Sequence, residues 1–211
     1  MADDVRAVGV PASRFGRWVE NFAARHGEYA LEVRDGSLRG TAADGSSFVA
    51  RLPFDALYDG PVDVGAFTGV AGPPEVWGVL LVRKGGFAVA RMSGDRIVDH
   101  KIGQRHVQGR TKAGGQSQQR FARRRDNQAR QAYEAAAEHA ARILVGRIPA
   151  VRGLPVVTGG DHAAVDEVLA DPRLRHLVVT GPWLAVPDPR RAVLDAAVAD
   201  ALAVRVDVHN A

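Results

Sequence analysis

The chain has 211 residues, 46% hydrophobic and 25% charged, ordinary values for a globular protein with a real core and enough chain for one large domain or two small ones. This excludes a wholly disordered chain, and the longest apolar run, Val76 to Val82 interrupted by Gly78, falls far short of the ~20 residues a membrane-spanning helix needs. The absence of cysteine removes disulfides, thiolate zinc sites and a cysteine nucleophile, and the acidic start Met1-Ala-Asp-Asp4 lacks the apolar core of a secretory signal; a cytoplasmic protein is expected.

The net charge of +4 is unevenly spread. Between Lys101 and Arg130 stand nine Lys/Arg and a single acid, Asp126, so this stretch carries +8 and the rest of the chain −4. Concentrated positive charge is the footprint of a polyanion partner, most often nucleic acid.

Phe15, Trp18, Val19 and Phe22 recur at helical spacing, and His26-Gly27 supplies a stop signal. Short strands follow at Tyr29–Arg34, Leu38–Thr41 and Ser47–Leu52, divided by Asp35-Gly36 and Asp44-Gly45, both hairpin-type turns. Residues 1–72 thus read as a small α+β domain, with the boundary at Gly72–Pro74. From residue 73 to 211 a larger domain opens with a meander of three strands, Trp77–Val82, Phe87–Met92 and Arg96–His100. A polar, Gly-rich loop from Gly103 to Gly115 comes next, too poor in apolar side chains to bury itself. Gln118 to Leu144 then lacks Gly and Pro, and Phe121, Ala129, Ala132, Tyr133, Ala136, Ala140, Ile143 and Leu144 share one helical arc. The remainder alternates: a strand near Leu154–Val157, a helix Asp161–Leu169, a strand Leu177–Val179, a helix Pro189–Ala201 and a strand Val204–Val208. The expected fold class is α/β, a mixed sheet with flanking helices, preceded by the small α+β domain.

The chemistry concentrates in Lys112-Ala-Gly-Gly-Gln-Ser-Gln-Gln-Arg-Phe-Ala-Arg-Arg-Arg-Asp126. Gly114 and Gly115 let backbone come within hydrogen-bonding distance of a ligand. Arginines behind them can neutralise phosphates, which supplies affinity without sequence choice. Gln116 is not a base; its amide and backbone N–H can position a water or bind a developing oxyanion. It therefore suits an already activated substrate, such as an ester attached to RNA.

Gly114-Gly115-Gln116 followed by Ser117 and by Arg-Phe-Ala-Arg at 120–123 resembles the GGQ loop and following helix of the archaeal and eukaryotic class-I peptide-chain release factors. The meander before it and the Val157-Thr-Gly-Gly160 turn after it fall in the matching order, so the likeness covers about residues 75–211, that family's central domain. No residues remain for the family's third domain, and the first 72 show none of its codon-reading motifs. The chain is most similar to the bacterial members of the Vms-like branch, associated with ribosome rescue.

That resemblance implies an RNase H-like mixed sheet and a codon-independent peptidyl-tRNA hydrolase acting on stalled large subunits. Gly114, Gly115 and Gln116 are its catalytic tip in the peptidyl-transferase centre, where Gln116 helps water attack the ester joining peptide to tRNA. Arg105, Arg110, Lys112, Arg120, Arg123 and Arg124 are the expected RNA-binding residues. The partners are ribosomal RNA of the large subunit and peptidyl-tRNA; no membrane, metal or cofactor is involved, and the protein is expected to be monomeric off the ribosome. Two alternatives stay open: an endonuclease trimming the tRNA 3′ end, and a non-catalytic rescue factor using the same basic helix. Thr158-Gly159-Gly160-Asp161 reads as a strand-to-helix turn capped by Asp161 before it reads as a phosphate cradle. His100 and His106 lack the neighbours a metal site needs, and Asp161-His162 with Ser93 or Ser117 lacks a nucleophile elbow.

Overall fold

Two five-stranded sheets organise the chain in the computed structural model, which describes residues 5–104, 130–146 and 153–211. They belong to two compact units, one of residues up to Pro73 together with Ala199–Ala211, the other Pro74–Val198. Among the described residues no helix is long and apolar enough to cross a membrane.

In the first unit the elements are β1 (Val5–Pro11), α1 (Ala12–His26), β2 (Tyr29–Arg34), β3 (Ser37–Ala42), β4 (Ser47–Arg51) and α2 (Val64–Val70). The antiparallel sheet is completed by β10 (Ala203–His209), in the order β1-β10-β4-β3-β2. Helix α1 forms because Phe15, Val19 and Phe22 return to one face and are all buried. Arg25 and His26 stand in its last turn, where positive charge complements the helix dipole, and Gly27 at φ 85° ends it. Asp35 and Gly36 take φ 51° and 68°, the two left-handed residues that a tight hairpin between β2 and β3 requires. Phe48 lies opposite Gly40, where a Cβ would come within 2.2 Å of its ring.

The last strand is a correction. Alternation of helices and strands placed Val204–Val208 in the second sheet, yet β10 pairs with β1 (Val10↔Val204) and with β4 (Val206↔Ala50). Its composition explains why. Val204 and Val206 are buried in the first unit's core, while Arg205 and Asp207 alternate with them and form ion pairs with Asp55 and Arg51. A strand with one wet face suits an antiparallel sheet; a central parallel strand reads as a continuous apolar run.

The second unit holds β5 (Val76–Arg83), β6 (Gly86–Ser93), β7 (Arg96–Gln104), β8 (Leu154–Gly160), α4 (His162–Leu169), β9 (Leu177–Leu184) and most of α5 (Arg191–Ala201). Between β7 and β8 lies helix α3, residues 130–140, which runs into a π-helical turn, Ala141–Val145. The sheet order is β7-β6-β5-β8-β9, antiparallel from β7 to β5 and parallel from β5 to β9. This is the mixed α/β sheet with flanking helices that the sequence predicts. Central strand β5 is buried from Trp77 to Val82, and the Trp77 indole N–H donates to the Gly94 carbonyl at 2.7 Å.

Strands β5, β8 and β9 meet most closely at two glycines. A Cβ on Gly159 would lie 2.3 Å from the Leu184 carbonyl oxygen, and one on Gly160, at φ 106°, 2.2 Å from that of Val82. Gly160→Ala therefore combines an unfavourable φ with a backbone clash and is expected to destabilise the unit by about 3 kcal/mol. Urea unfolding followed by tryptophan fluorescence checks it; a loss under about 1 kcal/mol means that the strands part readily there.

Candidate functional site

All nine site residues expected from sequence, Arg105, Arg110, Lys112, Gly114, Gly115, Gln116, Arg120, Arg123 and Arg124, lie outside the described residues. The loop expected from Gly103 and the first turns of the helix expected from Gln118 also fall there in large part. The described residues form the two roots of this segment, one a strand of the second unit's sheet and the other a helix packed in that unit's core.

The first root is the end of β7, which among the described residues is an edge strand paired with β6. The strand runs four residues beyond the expected His100, to Gln104, because backbone contact with β6 continues: Phe87 faces Gly103 and Gly86 faces Gln104. Side chains are excluded from this stretch. A Cβ on Gly103 would sit 2.3 Å from the Phe87 ring, and one on Gly86 would sit 2.4 Å from the Gly103 carbonyl oxygen. Gly103 thus belongs to the strand rather than to the loop.

The second root is α3. Of its expected apolar arc, Ala132, Tyr133, Ala136, Ala140, Ile143 and Leu144 are buried, and all but Ala132 share one core with Leu80, Val82, Phe87 and Val89. Alanines at every fourth position let the helix approach the sheet closely. Leu144 seats on Gly78, where a Cβ would come within 2.6 Å of it. Burial, followed by the carboxylates of Asp161 and Glu167, pushes the Tyr133 hydroxyl above its ordinary pKa.

Charges at the roots are mixed, Arg96, Lys101, Arg130 and Arg142 against Asp99, Glu134 and Glu138. On β7, Arg96, His100 and Lys101 are exposed; Asp99 faces Arg142 at 3.6 Å, and Arg191 Nη1 lies 3.2 Å from His100 Nε2. His139 registers this field. Its ring stacks on Phe87 at 5.6 Å, and its buried Nδ1 has no hydrogen-bond partner among the described residues. Desolvation first, then Lys101 and Arg142, hold its pKa below the ordinary 6.5, against a weaker opposing pull from Glu138.

A folded-state pKa below the unfolded one means that the unfolded chain binds more protons as pH falls through 6.5. The stability tied to His139 is therefore complete above that pH and declines as pH falls toward the folded-state pKa. His139→Phe keeps a ring against Phe87 and removes the titration. Urea midpoints measured from pH 8 to 5 are expected to fall less steeply for this variant than for the wild type.

The Val157-Thr-Gly-Gly160 region serves packing. Asp161 caps α4, its carboxylate accepting from Ala163 N–H at 3.1 Å, while its own N–H donates to the Val82 carbonyl at 2.8 Å. The space beside the glycines is filled by backbone of β5 and β9, and a carboxylate at the helix start repels a phosphate. His162 stacks on Trp183 with ring centroids 3.5 Å apart, and Ser117 lies outside the described residues. Among the described residues no group of three His, Asp or Glu could hold a metal ion.

Residues 75–207 match the family model described as Actinobacteria/chloroflexi VLRF1 release factor, which makes this a release-factor-like protein. The match spans well over half of the 211 residues, and the chain belongs to that VLRF1 family. It begins one residue before β5, takes in both roots and the segment between them, and ends within β10. No curated protein matches the chain.

Proposed function

We propose that the chain is a codon-independent peptidyl-tRNA hydrolase that frees nascent peptides from stalled large ribosomal subunits in the cytoplasm. The observation that carries this is Gly114-Gly115-Gln116-Ser117 with Arg-Phe-Ala-Arg behind it, inside a +8 segment and inside the span that matches a release-factor family. In the peptidyl-transferase centre, Gly114 and Gly115 bring backbone close to the tRNA 3′ end. The Gln116 backbone N–H and side-chain amide orient a water and hold the oxyanion that forms. Water oxygen bonds to the ester carbonyl carbon, the bond to the ribose oxygen breaks, and that oxygen leaves with a proton as a hydroxyl. An amide cannot accept the proton, so Gln116 acts by placement and hydrogen bonding rather than as a base. Arg105, Arg110, Lys112, Arg120, Arg123 and Arg124 contact ribosomal RNA phosphates, and the protein acts as a monomer.

Stalled large-subunit–peptidyl-tRNA complexes incubated with the protein, with both products sized on a gel, test this. Free peptide beside intact tRNA is the expected result. A tRNA shortened at its 3′ end replaces the hydrolase with an endonuclease. Unchanged peptidyl-tRNA leaves a binding factor without catalysis.

A further inference from the structure

An open groove of about 280 Å³ lies in the first unit between α1 and the β1–β10 edge of the sheet, at the lower limit of ligand-pocket size, about 300–1,000 Å³. Its lining includes Arg6, Trp18, Asn21, Arg25, His26 and Asn210. The charges are segregated. The described part of the unit has eight Arg against ten Asp and Glu, yet the groove is lined by two Arg and no carboxylate. Arg34, Arg39, Arg51 and Arg205 of the same unit form ion pairs; Arg6 and Arg25, like Arg14 and Arg17 outside the groove, form none with a described residue. Two guanidinium groups in a small concave site, without an ion-pair partner among the described residues, favour an anion.

The aromatic wall is rigid before any ligand arrives. The Trp18 ring stacks on Phe15 and Phe22, each at 6.0 Å, and meets Phe48 edge-on at 5.2 Å. The His26 ring is fixed by Asp44, Nδ1 to Oδ2 2.9 Å, and packs on Phe22 at 4.8 Å. The Asn21 and Asn210 amides each offer both donor and acceptor groups, the complement of a base edge. Phosphate-binding cations, a held aromatic wall and amide groups together match one nucleotide of a single strand. An acidic peptide has no use for the ring wall, and an open groove lets a strand continue past it.

We infer that the groove between α1 and the β1–β10 edge binds a nucleotide of single-stranded RNA, with phosphate on Arg6 and Arg25 and base against Trp18 and His26. It is a second RNA contact, resting on the first unit alone and not on the hydrolase activity.

The test uses full-length protein and 5-bromouridine pentanucleotides. After ultraviolet irradiation and trypsin digestion, the adduct is expected on peptide Trp18–Arg25, and Gln116→Ala leaves it in place. Affinity is then measured by anisotropy in an Arg105→Ala/Arg110→Ala/Lys112→Ala/Arg120→Ala/Arg123→Ala/Arg124→Ala background, which removes the phosphate contacts proposed for the basic segment. Adding Arg6→Gln/Arg25→Gln is expected to weaken binding at least about tenfold and to shallow the log–log salt slope by about 1.4. Trp18→Phe, which keeps the packing, is expected to weaken binding several-fold at unchanged melting temperature. Adducts confined to residues 105–129, or affinity and slope unaffected by the Arg pair, overturn the inference. Uridine monophosphate competing as well as the pentanucleotide also overturns it, making the occupant a free nucleotide.

Discussion

Gln116→Ala is expected to slow peptide release about 10²–10³-fold, the loss that follows removal of a preorganised donor to a developing oxyanion, on the order of 3 kcal/mol. Binding to large subunits and the melting temperature are expected to stay at wild-type values. A donor that works only in the transition state lowers the maximal rate without changing ground-state affinity. Single-turnover release at saturating protein, with subunit affinity measured in parallel, gives both quantities. Release at the wild-type rate by Gln116→Ala defeats the mechanism. A fall in affinity that accounts for the whole loss makes Gln116 a docking residue instead.

Arg120→Ala/Arg123→Ala/Arg124→Ala is expected to show the opposite pattern. Without three arginines to neutralise RNA phosphates, the log–log salt slope shallows by about two units, so affinity for large subunits drops most at low salt. At saturation, release is expected to stay within about tenfold of wild type, because the arginines position the tip and leave the ester chemistry to Gln116. Affinities at several salt concentrations settle the matter. Unchanged affinity and slope make these arginines a solvated face, a result that ends the docking argument and leaves the role of Gln116 standing.

What could be read from sequence depended on how local each signal is. The meander was legible because Val76–Val82 is an apolar run, buried from Trp77 on, and because Ser93-Gly94-Asp95 closes a tight turn. The buried arc of α3 was legible because six of its members recur at helical spacing within residues 132–144. β1 was missed: Val-Arg-Ala-Val-Gly-Val-Pro is short, carries Gly and Pro, and among the described residues pairs with β10 alone. α2 has seven residues, two of them Gly, and is held by Asp63, whose carboxylate accepts from Ala66 N–H at 2.7 Å, and by buried Phe67. β9 was expected to end at Val179 and runs on to Leu184 through Pro182, which an edge strand tolerates. The GGQ tip was visible because its residues are consecutive. The groove on α1 was not, since its lining comes from stretches near residues 6, 18–26 and 210 that only the folded sheet brings together.

The placement of β10 has a consequence for biosynthesis. Arg51 and its partner Asp207 are 156 residues apart in sequence, and β10 stands between β1 and β4. While a ribosome is making this chain, β2, β3 and β4 can assemble early, but β1 has no strand to pair with until residues 203–209 have cleared the exit tunnel. Until then β4 presents an open edge, the kind of surface that invites wrong pairing. Closing so long a loop is also slow compared with forming local contacts. The second unit's sheet, by contrast, is complete once β9 has emerged. Maturation of the first unit is thus timed to the end of synthesis of this span, and nascent chains halted short of residue 203 carry a finished second sheet beside an unfinished first one.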